Sequence, residues 1–133
     1  MKDLKAKDMM TRPVVSARKN ASTRDIALQL LSGLYSGMPV TDDDGKVIGV
    51  VTENDLLGHI CEGKELTKLN ASDVMSKNPV TVDVNTSLSE VLKTMLENNI
   101  IRVPVTDEGR LVGVIARCDI LKVYIEPEFV TYM

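Results

Sequence analysis

The sequence predicts a mixed α/β (α+β) fold built from two similar β-α-β-β-α units. Two observations carry this prediction. A glycine and β-branched run that leads into a polar helix start occurs at residues 49–55 and again at residues 113–119. The elements before each run also correspond in order, and self-similarity at a nearly fixed spacing indicates a repeated architecture.

The first unit opens with a short helical turn at residues 8–11 and a β-rich run at residues 13–16. Ser22 and Asp25 form a capping box, and apolar residues then recur at helical spacing. Glycines predict that this helix ends at residue 33 or 37. The second unit has the same elements at residues 73–76, 79–82 and 87–99.

Each unit continues with a hairpin and a closing helix. In the first unit we expect strands at residues 38–41 and 47–51, because the Asp-Asp-Gly-Lys segment between them is typical of a tight turn. A helix over residues 53–60 follows the second strand. The equivalent elements of the second unit are predicted at residues 103–106, 111–115 and 117–124.

We assign the repeats to residues 8–60 and 73–125. The charged, glycine-containing stretch at residues 61–72 is predicted to be a linker and surface loop, and residues 126–133 form a C-terminal tail. A repeat of about 60 residues leaves one face of its sheet partly bare, so it is unstable alone. We therefore expect the two repeats to pack through their sheets around a pseudo-two-fold axis.

Composition argues against several functions. The net charge of −3 gives little support to nucleic-acid binding. No apolar run is long enough for a membrane span, and the N-terminus lacks a signal-peptide core, so a cytoplasmic location is expected.

Cys61, Cys118 and the single histidine have no metal-ligand spacing, so we expect no metal and reduced thiols. No set of catalytic residues is recognisable, so we expect no enzymatic activity.

The strand-to-helix step at Thr52 and Asp55 has two interpretations. The first helical amides lack internal partners and attract anions, so a threonine hydroxyl there can hold a phosphate. A carboxylate one turn later can accept hydrogen bonds from a ribose diol. The same two residues also form an ordinary capping box, which needs no ligand. The capping box alone is the more common case, but the recurrence of the whole stretch at residues 113–119 favours a ligand site.

Together these features make the chain resemble a tandem pair of cystathionine-β-synthase (CBS) domains, a Bateman module in its stand-alone form. The resemblance covers Asp8 to Tyr124 and rests on the Pro-Val strand, the Asp-Gly hairpin and the Gly-x-x-Thr-x-x-Asp step. It implies an allosteric ligand or energy sensor that binds AMP, ADP or ATP, with S-adenosylmethionine or NAD also possible. It further implies a homodimer that regulates a partner protein of unknown identity.

The resemblance implies two ligand clefts, each shared between the repeats. In cleft one, Thr52 and the nearby amides contact phosphate, Asp55 binds the ribose, and Arg102 supplies a phosphate-binding cation. The remaining residues line the adenine pocket. The full set for cleft one is Val50, Thr52, Asp55, Val80, Thr81, Ile100 and Arg102.

Cleft two is expected to be weaker. Ala116 replaces the hydroxyl, and Gly37 stands where Arg102 stands in the other repeat. Arg117 is expected to compensate in part for the lost charge, and Tyr35 to stack on a base. The set for cleft two is Val14, Val15, Tyr35, Ser36, Arg117 and Asp119. The sequence thus predicts one competent site and one that is weak, empty or altered in ligand.

Two other functions stay open. The chain could be a structural or partner-docking module without a physiological ligand, in which case Thr52 and Asp55 only cap a helix. It could also be an enzyme that is active only in a complex, through Cys118 beside Asp119. The sequence argues against the second function, because no neighbouring group would activate that thiol.

Overall fold

The computed structural model describes residues 3–12, 14–33 and 35–125, which divide into two compact units. The first-repeat unit contains the described residues from Val15 to Pro79. The second-repeat unit contains those from Val80 onward together with those up to Val14. Each unit is a mixed α/β structure with its own sheet, as the sequence predicts.

In chain order the elements are α1 (Ala6–Met9), β1 (Ala17–Arg18), α2 (Thr23–Gly33), β2 (Gly37–Thr41), β3 (Val47–Thr52), α3 (Glu53–Cys61), a 3₁₀ turn (Leu66–Lys68), α4 (Ala71–Val74), β4 (Ser76–Lys77), β5 (Val82–Asp83), α5 (Leu88–Glu97), β6 (Arg102–Asp107), β7 (Arg110–Ala116) and α6 (Arg117–Ile125). The first-repeat unit has the sheet order β1-β2-β3-β4, and the second-repeat unit has the order β5-β6-β7. The predicted β-α-β-β-α order is confirmed in both. None of the helices in the described part of the chain is long and apolar enough to cross a membrane.

The predicted turn chemistry is present at the hairpins and at a helix start. Oδ1 of Asp42 accepts hydrogen bonds from the amides of Asp44 (2.9 Å) and Lys46 (3.0 Å), and Gly45 has φ +83°. A positive φ of this kind costs glycine little. At the start of α5, the Ser87 hydroxyl accepts from the amide of Glu90 at 3.3 Å. These polar contacts fix the turn between β2 and β3 and the start of α5.

The first strand of each repeat differs from the prediction. β1 and β5 begin later than the β-rich runs predicted from residues 13 and 79, and each has only two residues. β1 pairs only with Val40 and Thr41 of β2, just after Pro39. Proline has no amide hydrogen to donate to a neighbouring strand, so parallel pairing cannot extend past it. β5 pairs with β6 in the same way, immediately after Pro104.

The short helix at the start of each sequence repeat packs in the compact unit of the other repeat. Helix α1 lies in the second-repeat unit, where Ala6 and Met9 are buried in the core. The Ala6 amide donates to the Thr86 carbonyl at 2.8 Å, and Thr11 forms an isolated bridge to Val114 of β7. Helix α4 occupies the equivalent place in the first-repeat unit. Each compact unit therefore contains residues from both sequence repeats.

Gly49 permits a close backbone approach in the first-repeat unit. It pairs with Lys77 of β4, and a Cβ added to Gly49 would lie 2.8 Å from the Ser76 carbonyl oxygen. Any side chain here would push β4 away from β3. Gly113 is the equivalent residue in the second-repeat unit, where it lies against the side chain of Met10.

Residues 61–72 are less exposed than the predicted surface loop. Cys61 still belongs to α3, and Leu66 and Leu69 pack against the core of the first-repeat unit. The buried Thr23 hydroxyl donates to the Leu66 carbonyl, which fixes the 3₁₀ turn against α2. Residues 62–65 are exposed, whereas Leu66 and Leu69 are half-buried and Ala71 of α4 is fully buried. The apolar leucine pair favours burial more than the surrounding charges favour exposure.

Within that loop, Lys64 is held by two neighbours. Its Nζ lies 3.1 Å from the Glu62 carboxylate and 3.3 Å from Nδ1 of His59. The hydrogen bond from Lys64, together with its charge, lowers the pKa of the Glu62 carboxyl below its usual value. Glu62 and Lys64 are exposed, and His59 is half-buried in α3.

Each unit has its own apolar core, and among the described residues none of the fully buried core members is aromatic. Aliphatic side chains and methionine fill both cores. The buried core of the first-repeat unit consists of Ala17, Ile26, Leu30, Met38, Val40, Val51, Leu56, Ala71 and Val74. That of the second-repeat unit consists of Ala6, Met9, Val82, Leu88, Val91, Met95, Val103, Val105, Ile115 and Ile120.

Candidate functional site

The step from β3 to α3 is a complete capping box. The Thr52 Oγ1 accepts from the Asp55 amide at 3.2 Å, and Oδ2 of Asp55 accepts from the Thr52 amide at 2.8 Å. Thr52 has extended backbone angles, with φ −115° and ψ 165°, as an N-cap residue requires. Both residues are half-buried. The geometry of the structural interpretation is therefore present in full.

The capping box still leaves polar capacity at this helix end. Oγ1 of Thr52 acts as an acceptor, so the hydroxyl proton remains available to donate. Oδ1 of Asp55 accepts no hydrogen bond from the described residues. The amide of Glu53 already donates to the Ser36 carbonyl at 2.9 Å, so fewer amides are open to an anion than the sequence suggests. One hydroxyl donor and one carboxylate oxygen remain for a ligand.

The equivalent step in the second-repeat unit keeps half of the box. Oδ2 of Asp119 accepts from the Ala116 amide at 2.7 Å, and Ala116 offers no side-chain acceptor in return. The Arg117 amide donates to the Ile101 carbonyl at 3.0 Å. Asp119 therefore retains its structural contact, while the helix end lacks the hydroxyl donor that Thr52 provides in the first repeat.

The two repeats differ at the start of β2 or β6 and at the strand-to-helix step, and strand pairing places these two positions opposite each other. Gly37 lies opposite Thr52, and a Cβ on Gly37 would lie 2.9 Å from the Val51 carbonyl oxygen and 3.2 Å from Cγ2 of Thr52. A larger residue does not fit beside that threonine. Arg102 lies opposite Ala116, whose side chain is a single methyl group. The structure thus brings Arg102 beside Ala116 within the second-repeat unit, which sequence reasoning missed because register is not visible in the residue pattern.

The other residues predicted to line the adenine pocket of cleft one are half-buried, and their role in a pocket stays a prediction. Val50 is half-buried in β3, between Pro39 of β2 and Ser76 of β4. In the second-repeat unit, Val80 and Thr81 are half-buried just before β5. Ile100 is also half-buried and packs against that unit's core, in the loop that leads to Arg102. Thr52, Asp55 and Val50 thus lie in one unit, and the other four residues lie in the second.

The cleft-two residues are divided in the same way. Tyr35 packs against the core of the first-repeat unit, and its ring covers Gly33 at the end of α2. Ser36 and Val15 are exposed in that unit. Val14 is half-buried and belongs to the second-repeat unit with Asp119. The predicted stacking of Tyr35 on a base remains a prediction, and the ring already has a protein contact.

The side chain of Arg117 contacts its own unit. Nε donates to the Ile100 carbonyl at 3.1 Å, and Nη2 donates to Oδ1 of Asn99 at 3.2 Å. The sequence assigns Arg117 to cleft two as a compensating charge. Two of its donors are instead committed to the loop between α5 and β6, which carries residues of cleft one.

Metal-ligating side chains do not cluster in the described part of the chain. No group of three or more His, Cys, Asp and Glu residues there has an arrangement that could hold a metal ion. Cys61 and Cys118 are both unpaired and exposed.

Comparison with known proteins identifies both repeats. A family model described as the CBS domain matches residues 6–62 and again residues 71–126. A CBS domain-containing protein of Dictyostelium discoideum is 34% identical over 117 residues, which cover 79% of this chain and 81% of the relative. An uncharacterized protein of Methanocaldococcus jannaschii is 30% identical over 105 residues, which cover 78% of this chain and 25% of the relative.

Some relatives are thus much longer than the matched region. L-aspartate semialdehyde sulfurtransferase of Methanocaldococcus jannaschii is 27% identical over 119 residues, covering 89% of this chain and 23% of that protein. The chain spans about a quarter of the length of these two Methanocaldococcus relatives.

Two similar solved structures contain adenosine compounds. The structure of CBSX2 in complex with AMP has a TM-score of 0.81 at 27% identity, covering 94% of this chain and 98% of that one. The CBS domain pair of protein MJ0100, in complex with 5′-methylthioadenosine and S-adenosyl-L-methionine, has a TM-score of 0.78 at 26% identity, covering 92% and 97%.

Proposed function

The chain belongs to the CBS domain family, with two copies of the domain in tandem, and from this membership we propose that it is a regulatory module that binds an adenine nucleotide. The observation that carries the proposal is the Thr52–Asp55 step, where one hydroxyl donor and one carboxylate oxygen remain after the capping box forms. The AMP in the CBSX2 structure supports the ligand class. AMP, ADP and ATP are the favoured ligands, and S-adenosylmethionine or NAD are alternatives.

Calorimetric titration with AMP and with ATP tests this proposal. We expect one tight site per chain, because only the first repeat combines a capping hydroxyl with the aspartate. Two sites of equal affinity would contradict the predicted difference between the clefts. A melting-temperature panel with all five ligands extends the test, since a ligand that binds only the folded state raises apparent stability. No shift with any of them would contradict the proposal.

The structural or partner-docking alternative also has an observation in its favour. The capping box satisfies the Thr52 and Asp55 amide contacts without any ligand. If this alternative holds, both residues contribute only to helix stability. Replacement of Asp55 separates the two functions.

Regulation is the proposed role because CBS domains are generally regulatory and non-catalytic. In the proposed mechanism the ligand binds one conformation more tightly than another, and the shift in population reaches a partner protein. We propose no catalytic activity for the chain. We also propose a cytoplasmic location.

We further propose that the chain forms a homodimer. Each unit exposes apolar side chains at corresponding helical positions: Leu31 and Leu57 are 71% and 60% exposed, and Leu96 and Leu121 are 65% and 64% exposed. In the first-repeat unit they border a groove of about 390 Å³. The groove is lined by Ala27, Leu30, Leu31, Tyr35, Glu53, Leu56, Leu57, Ile60 and Leu66. A closed two-fold pair is the commonest way to cover such a face.

Replacing Leu57 by lysine is expected to weaken the dimer about tenfold or more, because a buried leucine contributes about 1.5–3 kcal/mol. Light scattering over a concentration series measures the change. Asn20→Lys is the matched control, since Asn20 is an exposed residue in the turn after β1 of the same unit. A monomeric wild-type protein, or equal effects of the two substitutions, would contradict the dimer proposal.

A further inference from the structure

The loop between α5 and β6 begins with a residue in the left-handed region. Asn99 has φ +51°, which asparagine adopts more readily than other non-glycine residues and often does just after a helix end. Its neighbour Ile100 donates its amide to the Met95 carbonyl at 3.0 Å, which ties the loop to the end of α5. Arg102 begins β6 two residues later. The loop therefore determines where two predicted ligand-contacting residues, Ile100 and Arg102, are presented.

Arg117 holds this loop from the other side. Its amide donates to the Ile101 carbonyl at 3.0 Å, Nε to the Ile100 carbonyl at 3.1 Å, and Nη2 to Oδ1 of Asn99 at 3.2 Å. Three consecutive loop residues are thus bonded to a single arginine. The planar guanidinium suits this role, because its donors point in fixed directions.

We call the hydrogen bonds from Arg117 to Asn99, Ile100 and Ile101 the Arg117 brace. The first repeat cannot form the side-chain part of this brace. Its equivalent residue is Glu53, whose amide donates to the Ser36 carbonyl at 2.9 Å just as the Arg117 amide does to Ile101. The Glu53 carboxylate has no donor for a loop carbonyl. The backbone contact is common to both repeats, and the guanidinium contacts are specific to the second.

We propose that Arg117 is a positioning residue for cleft one rather than a ligand contact of cleft two. By fixing Asn99 and Ile100, it sets the placement of Ile100 and the start of β6, where Arg102 lies. This assignment rests on the proposed function for the roles of Ile100 and Arg102. The brace itself is a contact within one unit and does not depend on any ligand.

Arg117→Ala in the full chain tests the proposal by two measurements. We expect hydrogen exchange at the amides of Asn99 and Ile100 to become faster in the absence of ligand. We also expect AMP binding to weaken about two- to tenfold, as loss of one or two exposed hydrogen bonds would produce. Arg110→Ala is the matched control, because it removes the same charge from an exposed position in the same unit.

Arg117→Lys distinguishes positioning from direct charge. Lysine keeps the charge but cannot donate in the fork geometry, so this variant is expected to behave like Arg117→Ala in both measurements. Wild-type affinity in Arg117→Lys, or weakened binding without faster loop exchange, would overturn the positioning role. An equal loss in Arg110→Ala would do the same. If the wild type binds no AMP, the proposed function fails, and the exchange data alone decide whether the brace exists.

Discussion

Replacing Asp55 by alanine is expected to weaken AMP binding on the order of 10- to 150-fold, because one hydrogen bond from the ribose to a charged oxygen contributes about 1.5–3 kcal/mol. The carboxylate is well suited to this role, since Oδ2 is held by the Thr52 amide and Oδ1 remains for the ligand. Isothermal titration with AMP measures the effect, and a melting curve shows whether the fold survives.

Asp119→Ala is the control that makes this experiment decisive. Asp119 makes the same contact to the Ala116 amide at 2.7 Å, so both variants lose one capping bond, about 1 kcal/mol of stability. The helix that carries Asp55 begins after a threonine, whose hydroxyl we propose contacts the ligand, whereas the helix that carries Asp119 begins after Ala116. Equal losses of stability with binding retained in both variants would favour the structural alternative over the nucleotide sensor.

Replacing Met9 by alanine is expected to destabilise the second-repeat unit by about 2–5 kcal/mol, the usual cost of truncating a buried methionine. Met9 is only 8% exposed and packs in that core, although it lies near the start of the first sequence repeat. Hydrogen exchange should therefore rise first in β6 and β7. Faster exchange confined to β2 and β3 would contradict the assignment of α1 to the second-repeat unit.

Val74→Ala is the reciprocal variant. Val74 lies in α4 and is 5% exposed in the core of the first-repeat unit. We expect a loss of about 1.5–3 kcal/mol, with faster exchange in β2 and β3. The two variants together test whether α1 packs in the second-repeat unit and α4 in the first-repeat unit. Each variant should loosen the unit in which its helix packs, not the unit of the repeat that follows it in the sequence.

The repeated order of helices and strands could be predicted from sequence because its signals are local. Helix starts at Ser22 and Ser87, and turns at Gly45 and Gly109, depend on side chains within a few residues. The packing of α1 in the second-repeat unit and of α4 in the first-repeat unit could not be predicted in this way. Either sheet can accept such a short apolar turn, and the choice depends on contacts between residues far apart in the sequence.

The candidate site shows the same limit. The hydrogen bonds between Thr52 and Asp55 could be predicted because they depend on spacing along one helix start. The brace from Arg117 to Asn99, and the pairing of Arg102 with Ala116, join residues that are 14 or more positions apart. Their partnership follows from strand register and from the path of one loop. A single sequence carries no direct signal for either.

The placement of α1 in the second-repeat unit and of α4 in the first-repeat unit has a consequence for experiments on half of this protein. A fragment cut between the sequence repeats would lack one helix of its own core and carry a helix that fits elsewhere. A circular permutant that begins at Val80, with the original ends joined by a designed linker and the new terminus at Pro79, would encode each compact unit as one uninterrupted stretch. Such a rearranged chain is the natural starting point for separating the two halves.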